Sequence, residues 1–227
     1  MLKVAADRNI ENINLVGYNS VMKKIICIML LSAAFLSVDA SGFEINLHNQ
    51  KEEAVNLYSE KESLARAMYA QNNLEETLNI LYTIPEENRT AEVWLLLGNI
   101  RQDKGDLKSA VSMYENAIMT DKKNYKAYYN LGVLYFSEEK YSLALEKFKN
   151  AKKYKLDNPN IYYNLGCTYI NLGEFRKAKN EIMYAIELKN NVPDYYYNMA
   201  YVYKKLGKDK KAQSYMDVFE KLNGFKE

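Results

Sequence analysis

The sequence predicts an all-α protein, an α-solenoid of about five stacked antiparallel helical hairpins with a unit length of 34 residues. Three observations carry that prediction. The first is a period. Ala110, Ala144, Ala178 and Ala212 fall 34 residues apart, as do Leu97, Leu131, Leu165 and Met199, and the small residues Gly98, Gly132, Gly166 and Ala200. Trp94, Tyr128, Tyr162 and Tyr196 keep the same step, as do Ala117, Ala151, Ala185 and Phe219, and five columns with one period indicate repeated units. The second is the spacing inside a unit. Tyr128, Leu131, Gly132 and Tyr135 follow i, i+3, i+4, i+7 along one helix face, and Ala144, Phe148 and Ala151 mark a second helix. The third is composition: with 3 Pro and 9 Gly in 227 residues there is too little turn material for a β-sandwich.

From the N-terminus, residues 1–21 are polar, Asn-rich and aperiodic, and Met22 is an alternative start. Met22-Lys23-Lys24, the apolar run from Ile25 to Val38 and then Asp39-Ala40-Ser41 have the order of a secretory signal peptide, which is predicted over 22–40. A membrane-spanning helix needs roughly 20 apolar residues, so this run is short for a span. Export to the periplasm or medium, with no stable span after cleavage, is the leading expectation. The alternative is a membrane anchor formed by an uncleaved 22–40 segment. Cys27 lies inside the apolar run without a lipoprotein context. Cleavage after Ala40 leaves 27 basic against 26 acidic side chains, with Cys167 as the sole cysteine. A lone thiol makes no internal disulfide, so stability rests on packing.

Residues 41–57 are expected to form an N-terminal linker and helix extension, with the helix reaching back to around Gln50. A degenerate unit follows at 58–90, marked by Leu64, Ala65, Met68, Thr77, Leu81 and Ile84. Regular units occupy 91–124, 125–158, 159–192 and 193–227, the last with a C-terminal cap stopped by Gly224. Gly105, Gly173 and Gly207 sit between the two helices of their units, where a left-handed residue ends a helix, and Glu139 replaces that glycine in the third unit. Pro159 and Pro193 open later units, where a missing N–H costs nothing in the first turn.

These residues closely resemble the tetratricopeptide-repeat family. The resemblance is carried by Trp94-x-x-Leu97-Gly98-x-x-Arg101 with Ala110, Tyr114 and Ala117, and by Tyr128-x-x-Leu131-Gly132-x-x-Tyr135 with Ala144, Phe148 and Ala151. It continues in Tyr162-x-x-Leu165-Gly166-x-x-Tyr169 with Ala178, Ile182 and Ala185, and in Tyr196-x-x-Met199-Ala200-x-x-Tyr203 with Ala212 and Met216. Arg101 departs from the tyrosine column, and Lys122, Leu156 and Asn190 replace the proline near each unit's end.

The resemblance implies a concave groove lined by the first helix of each unit, in which peptides lie. On that basis the groove columns are Leu95, Tyr129, Tyr163 and Tyr197; Asn130, Asn164 and Asn198; and Asn99, Val133, Cys167 and Tyr201. The candidate peptide site is Tyr129, Tyr163, Tyr197, Asn130, Asn164, Asn198, Asn99 and Tyr201. The tyrosines are expected to stack as a ladder along the inner wall. The asparagines offer donors and acceptors to an extended backbone. A packing role for both columns stands beside the binding role. A carboxylate clamp for acidic tails needs basic residues where Leu95, Asn160 and Asn164 stand, so that subtype is set aside.

The partner is expected to be a protein or peptide that the sequence does not identify. A net charge of +2 argues against a nucleic-acid partner bound through phosphate neutralisation. No catalytic residues, cofactor or metal site are expected. His48 has no ligand at metal spacing, Cys167 has no neighbouring base, and Glu86-Glu87 and Glu138-Glu139 read as solvated turns. The competing function is a structural subunit that self-assembles through Val218, Leu222 and Phe225. The sequence alone leaves the oligomeric state open.

Overall fold

A computed structural model describes residues 40–224, with side chains from residue 52. The signal-peptide segment, residues 1–21 and Phe225 therefore lie outside the described residues, Ala40 excepted. Ten α-helices and one turn of 3-10 helix at Glu86–Asn88 make up the described residues. They are α1 (Ala40–Ala70), α2 (Leu74–Tyr82), α3 (Ala91–Asp103), α4 (Leu107–Thr120) and α5 (Tyr125–Ser137). The remainder are α6 (Tyr141–Tyr154), α7 (Pro159–Asn171), α8 (Phe175–Leu188), α9 (Pro193–Lys205) and α10 (Asp209–Asn223). The chain divides into two units, residues 1–57 and 58–227, with the boundary inside α1. In the first unit the described chain is helical from Ala40, ten residues earlier than expected, and Val55 and Leu57 are exposed.

In the second unit consecutive helices pair as hairpins. α3 packs on α4, α5 on α6, α7 on α8 and α9 on α10, and each hairpin's second helix packs on the first helix of the next. The cause is local. Thr90, Asp106 and Asn124 accept hydrogen bonds from the backbone N–H of Val93, Ser109 and Ala127 at helix starts. Pro159 and Pro193 occupy first-turn positions. Between the two helices of each hairpin the chain turns through a left-handed residue: Gly105 at φ 77°, Gly173 at 74° and Gly207 at 69°. Asn72 and Glu139 take the same conformation at 62° and 59°, so Glu139, the one break in the glycine column of the regular hairpins, keeps the turn. Gly224 differs: its φ of −68° is right-handed.

The core repeats with the sequence. Ala110, Tyr114 and Ala117 on α4, Ala144, Phe148 and Ala151 on α6, and Ala178, Ile182 and Ala185 on α8 are all fully buried. The glycine column exists because of the middle member of each trio. A Cβ on Gly98 would lie 2.5 Å from the Tyr114 ring, on Gly132 2.6 Å from Phe148, and on Gly166 2.4 Å from Ile182. The two helices of each hairpin meet at those points with no room for a methyl group.

Candidate functional site

The first helices of successive hairpins bring the predicted columns together. α3 carries Asn99, α5 carries Tyr129 and Asn130, α7 carries Tyr163 and Asn164, and α9 carries Tyr197, Asn198 and Tyr201. α5 touches α7, and α7 touches α9. The tyrosine column does not stack on itself. The Tyr129 ring packs on Phe148 at 5.8 Å, Tyr163 on Tyr195 at 4.7 Å and Tyr197 on Phe219 at 5.3 Å. One repeat advances each tyrosine far enough along the stack for its ring to meet a different neighbour, and the asparagine of the next hairpin bridges the gap.

That bridge is a regular feature. Asn164 Nδ2 donates to the Tyr129 hydroxyl at 3.0 Å, and Asn198 Nδ2 donates to the Tyr163 hydroxyl at 2.8 Å. One junction earlier, where Leu95 stands in the tyrosine column, Asn130 Nδ2 instead donates to Asn99 Oδ1 at 2.8 Å. Asn99 Oδ1 also accepts from the Tyr114 hydroxyl at 2.9 Å. Thus Asn99, Asn130, Asn164 and Asn198 all hold hairpins together. Neither bridging tyrosine is spare wall surface: Tyr129 and Tyr163 are half-buried, and burial raises the pKa of both hydroxyls. Tyr197 and Tyr201 are different, 50% and 41% exposed, with no asparagine bridge.

Cys167 is half-buried beside this network, with Asn198 Nδ2 3.4 Å from its sulfur. Burial pushes its thiol up to about 11. At neutral pH it is a protonated packing group and a poor nucleophile. Among the described residues no group of three or more His, Cys, Asp or Glu side chains could hold a metal ion. Also among the described residues, no helix is long and apolar enough to cross a membrane.

The sequence columns missed one feature. Tyr197, Ala200, Tyr201, Lys204, Gln213 and Met216 line a cleft of about 360 Å³ between α9 and α10. In every earlier hairpin the corresponding face is covered by the next first helix, and here no described helix follows. The signal was available in the register, because the Ala212 and Met216 columns have no described hairpin to bury them.

Comparison with known proteins fits this architecture. A family model described as the tetratricopeptide repeat protein 21 C-terminal ARM domain matches residues 44–196, more than half of the chain. A tetratricopeptide-repeat model matches residues 193–217. The chain belongs to the tetratricopeptide-repeat family. Solved structures with the same fold include MamA from AMB-1, 21% identical, covering 77% of this chain and 93% of that one with a TM-score of 0.65. MamA from MSR-1 is 23% identical, with coverages of 77% and 99% and a TM-score of 0.63. PilF of Pseudomonas aeruginosa is 22% identical, with coverages of 76% and 78% and a TM-score of 0.64. No curated relative matches the sequence. Family membership makes this tetratricopeptide-repeat chain a protein-interaction scaffold in general terms, in a family whose members are typically non-enzymatic.

Proposed function

We propose that the chain is an exported, non-catalytic adaptor that holds an extended peptide along α3, α5, α7 and α9. One observation carries the groove: tyrosine hydroxyl and asparagine amide recur as bonded pairs at one-repeat spacing. In the Tyr129–Asn164 pair the amide N–H₂ is committed to the hydroxyl. The amide oxygen and the hydroxyl proton keep hydrogen-bonding capacity for a ligand backbone. Each ring supplies a rigid apolar face and a polar tip, the combination favoured at contact surfaces. Asn99, Asn130 and Asn198 extend the polar line, and Tyr197 and Tyr201 add open aromatic surface at its C-terminal end. Export rests on the signal-like order of residues 22–40 and places the scaffold in the envelope.

The test uses Tyr129→Phe/Tyr163→Phe, which keeps both rings and removes both hydroxyls. Cross-linked capture from an envelope fraction is expected to yield a discrete partner with the native chain and a several-fold loss with the variant, at unchanged helicity. Equal capture by both proteins would make the pairs packing alone. Signal cleavage is read separately, by mass spectrometry of the exported chain, as removal of residues up to Ala40.

A further inference from the structure

We propose that copies of this chain associate head to tail, with α1 of one copy seated on the open α9–α10 face of another. The argument starts from the interior junctions. The first helix of each regular hairpin buries one column against the preceding hairpin: Val93, Leu97 and Ile100 on α3; Ala127, Leu131 and Leu134 on α5; Ile161, Leu165 and Thr168 on α7; Tyr195, Met199 and Val202 on α9. All of these lie at or below 2% exposure. Their counterparts on α1, by the Leu64–Leu97 correspondence of the degenerate unit, are Glu60, Leu64 and Ala67. All three are exposed, Leu64 at 49%.

The other end shows the complementary half. Ala178 and Ile182 on α8 are fully buried beneath the next hairpin, whereas Ala212 on α10 retains 9% exposure and Met216 is only half-buried. The cleft of about 360 Å³ lies over those two residues. Leu64 and the Ala212–Met216 cleft are thus the two halves of a junction that the chain builds three times between its regular hairpins. Glu60 replaces the apolar residue of the interior columns, and the facing end is basic. Lys204 lines the cleft paired with Asp209 at 2.9 Å, and Lys208, Lys210 and Lys211, exposed around it, leave the net charge of this end positive.

Charge is distributed to match. Residues 52–139 carry 9 Lys+Arg against 15 Asp+Glu, and residues 140–224 carry 16 against 9. An acidic leading half and a basic trailing half attract between copies in head-to-tail order and repel in head-to-head or tail-to-tail order. Such a contact joins two different surfaces and leaves one of each free, so it propagates into chains of copies. The second copy is therefore the occupant that apolar register and charge both select.

Sedimentation velocity of the full chain tests this. The mass is expected to rise above the 26.4 kDa monomer with concentration at low salt and to fall back in 0.5 M NaCl, where the Debye length is a few ångströms. Leu64→Asp blocks the leading face, and Gln213→Trp fills the trailing cleft; both positions are exposed, so neither change enters the core. Each variant alone is expected to bind itself about tenfold more weakly or worse, a change of about 1.4 kcal/mol. An equimolar mixture, holding one intact face of each kind, is expected to form a dimer that grows no further. A native chain monomeric at every concentration overturns the proposal. So does a mass that neither variant lowers, or a mixture that stays monomeric. Leu64→Asp touches no residue of the groove, whereas Tyr197 and Tyr201 line the cleft that Gln213→Trp fills, so peptide capture is read independently with Leu64→Asp.

Discussion

The junction between the first and second hairpins and the junctions around α7 are closed by different chemistry. At the first, Tyr69 donates to Asp103 at 3.1 Å, Thr90 donates to Glu62 at 2.8 Å, and Lys104 pairs with Glu75, all near the surface. Arg89 lies over both the Trp94 ring, at 4.8 Å, and the Tyr82 ring, at 5.5 Å. Around α7 the closing groups of the tyrosine and asparagine columns are neutral and half-buried, with Asn164 on Tyr129 and Asn198 on Tyr163, while a half-buried ion pair between Lys152 and Glu181 at 2.8 Å ties α6 to α8. The same 34-residue frame therefore closes its exposed leading junction with charged groups and the tyrosine and asparagine columns around α7 with neutral amide–hydroxyl pairs. An unpaired charge is costly in such a covered setting, and an amide–hydroxyl pair is not.

The largest effect that would break the contrast comes from the shared glycine column. Gly132→Val would drive a branched side chain into Phe148 and is expected to cost about 3 kcal/mol or somewhat less, the upper range of overpacking. Gly105→Ala meets nothing within 4 Å and strains only a positive φ, so it is expected to cost about 1 kcal/mol. Urea midpoints at constant m-value would rank the two, and the reverse order would contradict the packing account. Asn164→Leu and Asn198→Leu should follow, each losing a net hydrogen bond of about 1 kcal/mol, insensitive to salt. Lys104→Ala is expected to change stability by about 0.5 kcal/mol or less, and salt should erase the difference. Amide exchange compared at low and high salt would show this directly. It should rise more in α1–α2 than in α5 and α7.

The pH dependence sharpens the same contrast. The folded state keeps Cys167 protonated up to about 11, against an ordinary value of 9.0. The unfolded chain loses that proton first, so the stabilisation is complete below about pH 9 and is lost as pH rises toward 11. Tyr129 and Tyr163, also raised by burial, act in the same direction above their ordinary 10.0. The melting temperature should fall between pH 9 and 11 in the native chain and less steeply in Cys167→Ala. Equal slopes would mean that the thiol is solvated.

Much of this was legible in the residues. The columns of Ala144 and Gly132 gave the hairpins, and the steric reason for Gly132 lies in Phe148, sixteen positions on in the same unit. Even Glu139, which breaks the turn-glycine column, could be placed, because the unit length left no other residue for the left-handed position. Hydrogen-bond partners were not legible. A period of 34 says that Tyr129 and Asn164 recur, but whether ring meets ring or amide meets hydroxyl depends on the rotation between hairpins, which no column encodes. The tyrosine ladder failed for that reason. The α9–α10 cleft was hidden differently: Ala212 and Met216 at its floor belong to columns that are core in every earlier regular hairpin, and only the place of their hairpin in the described stack opens them.

The claim on which the account turns is that a neutral amide–hydroxyl pair couples α5 to α7 and another couples α7 to α9. A double-mutant cycle on Tyr163 and Asn198 tests it most directly, with Tyr163→Phe, Asn198→Leu and the combined variant compared by urea unfolding. The account predicts a coupling energy of about 1 kcal/mol, as for a net hydrogen bond between partly buried neutral groups. Strictly additive losses would show that the two groups act separately, and would contradict it.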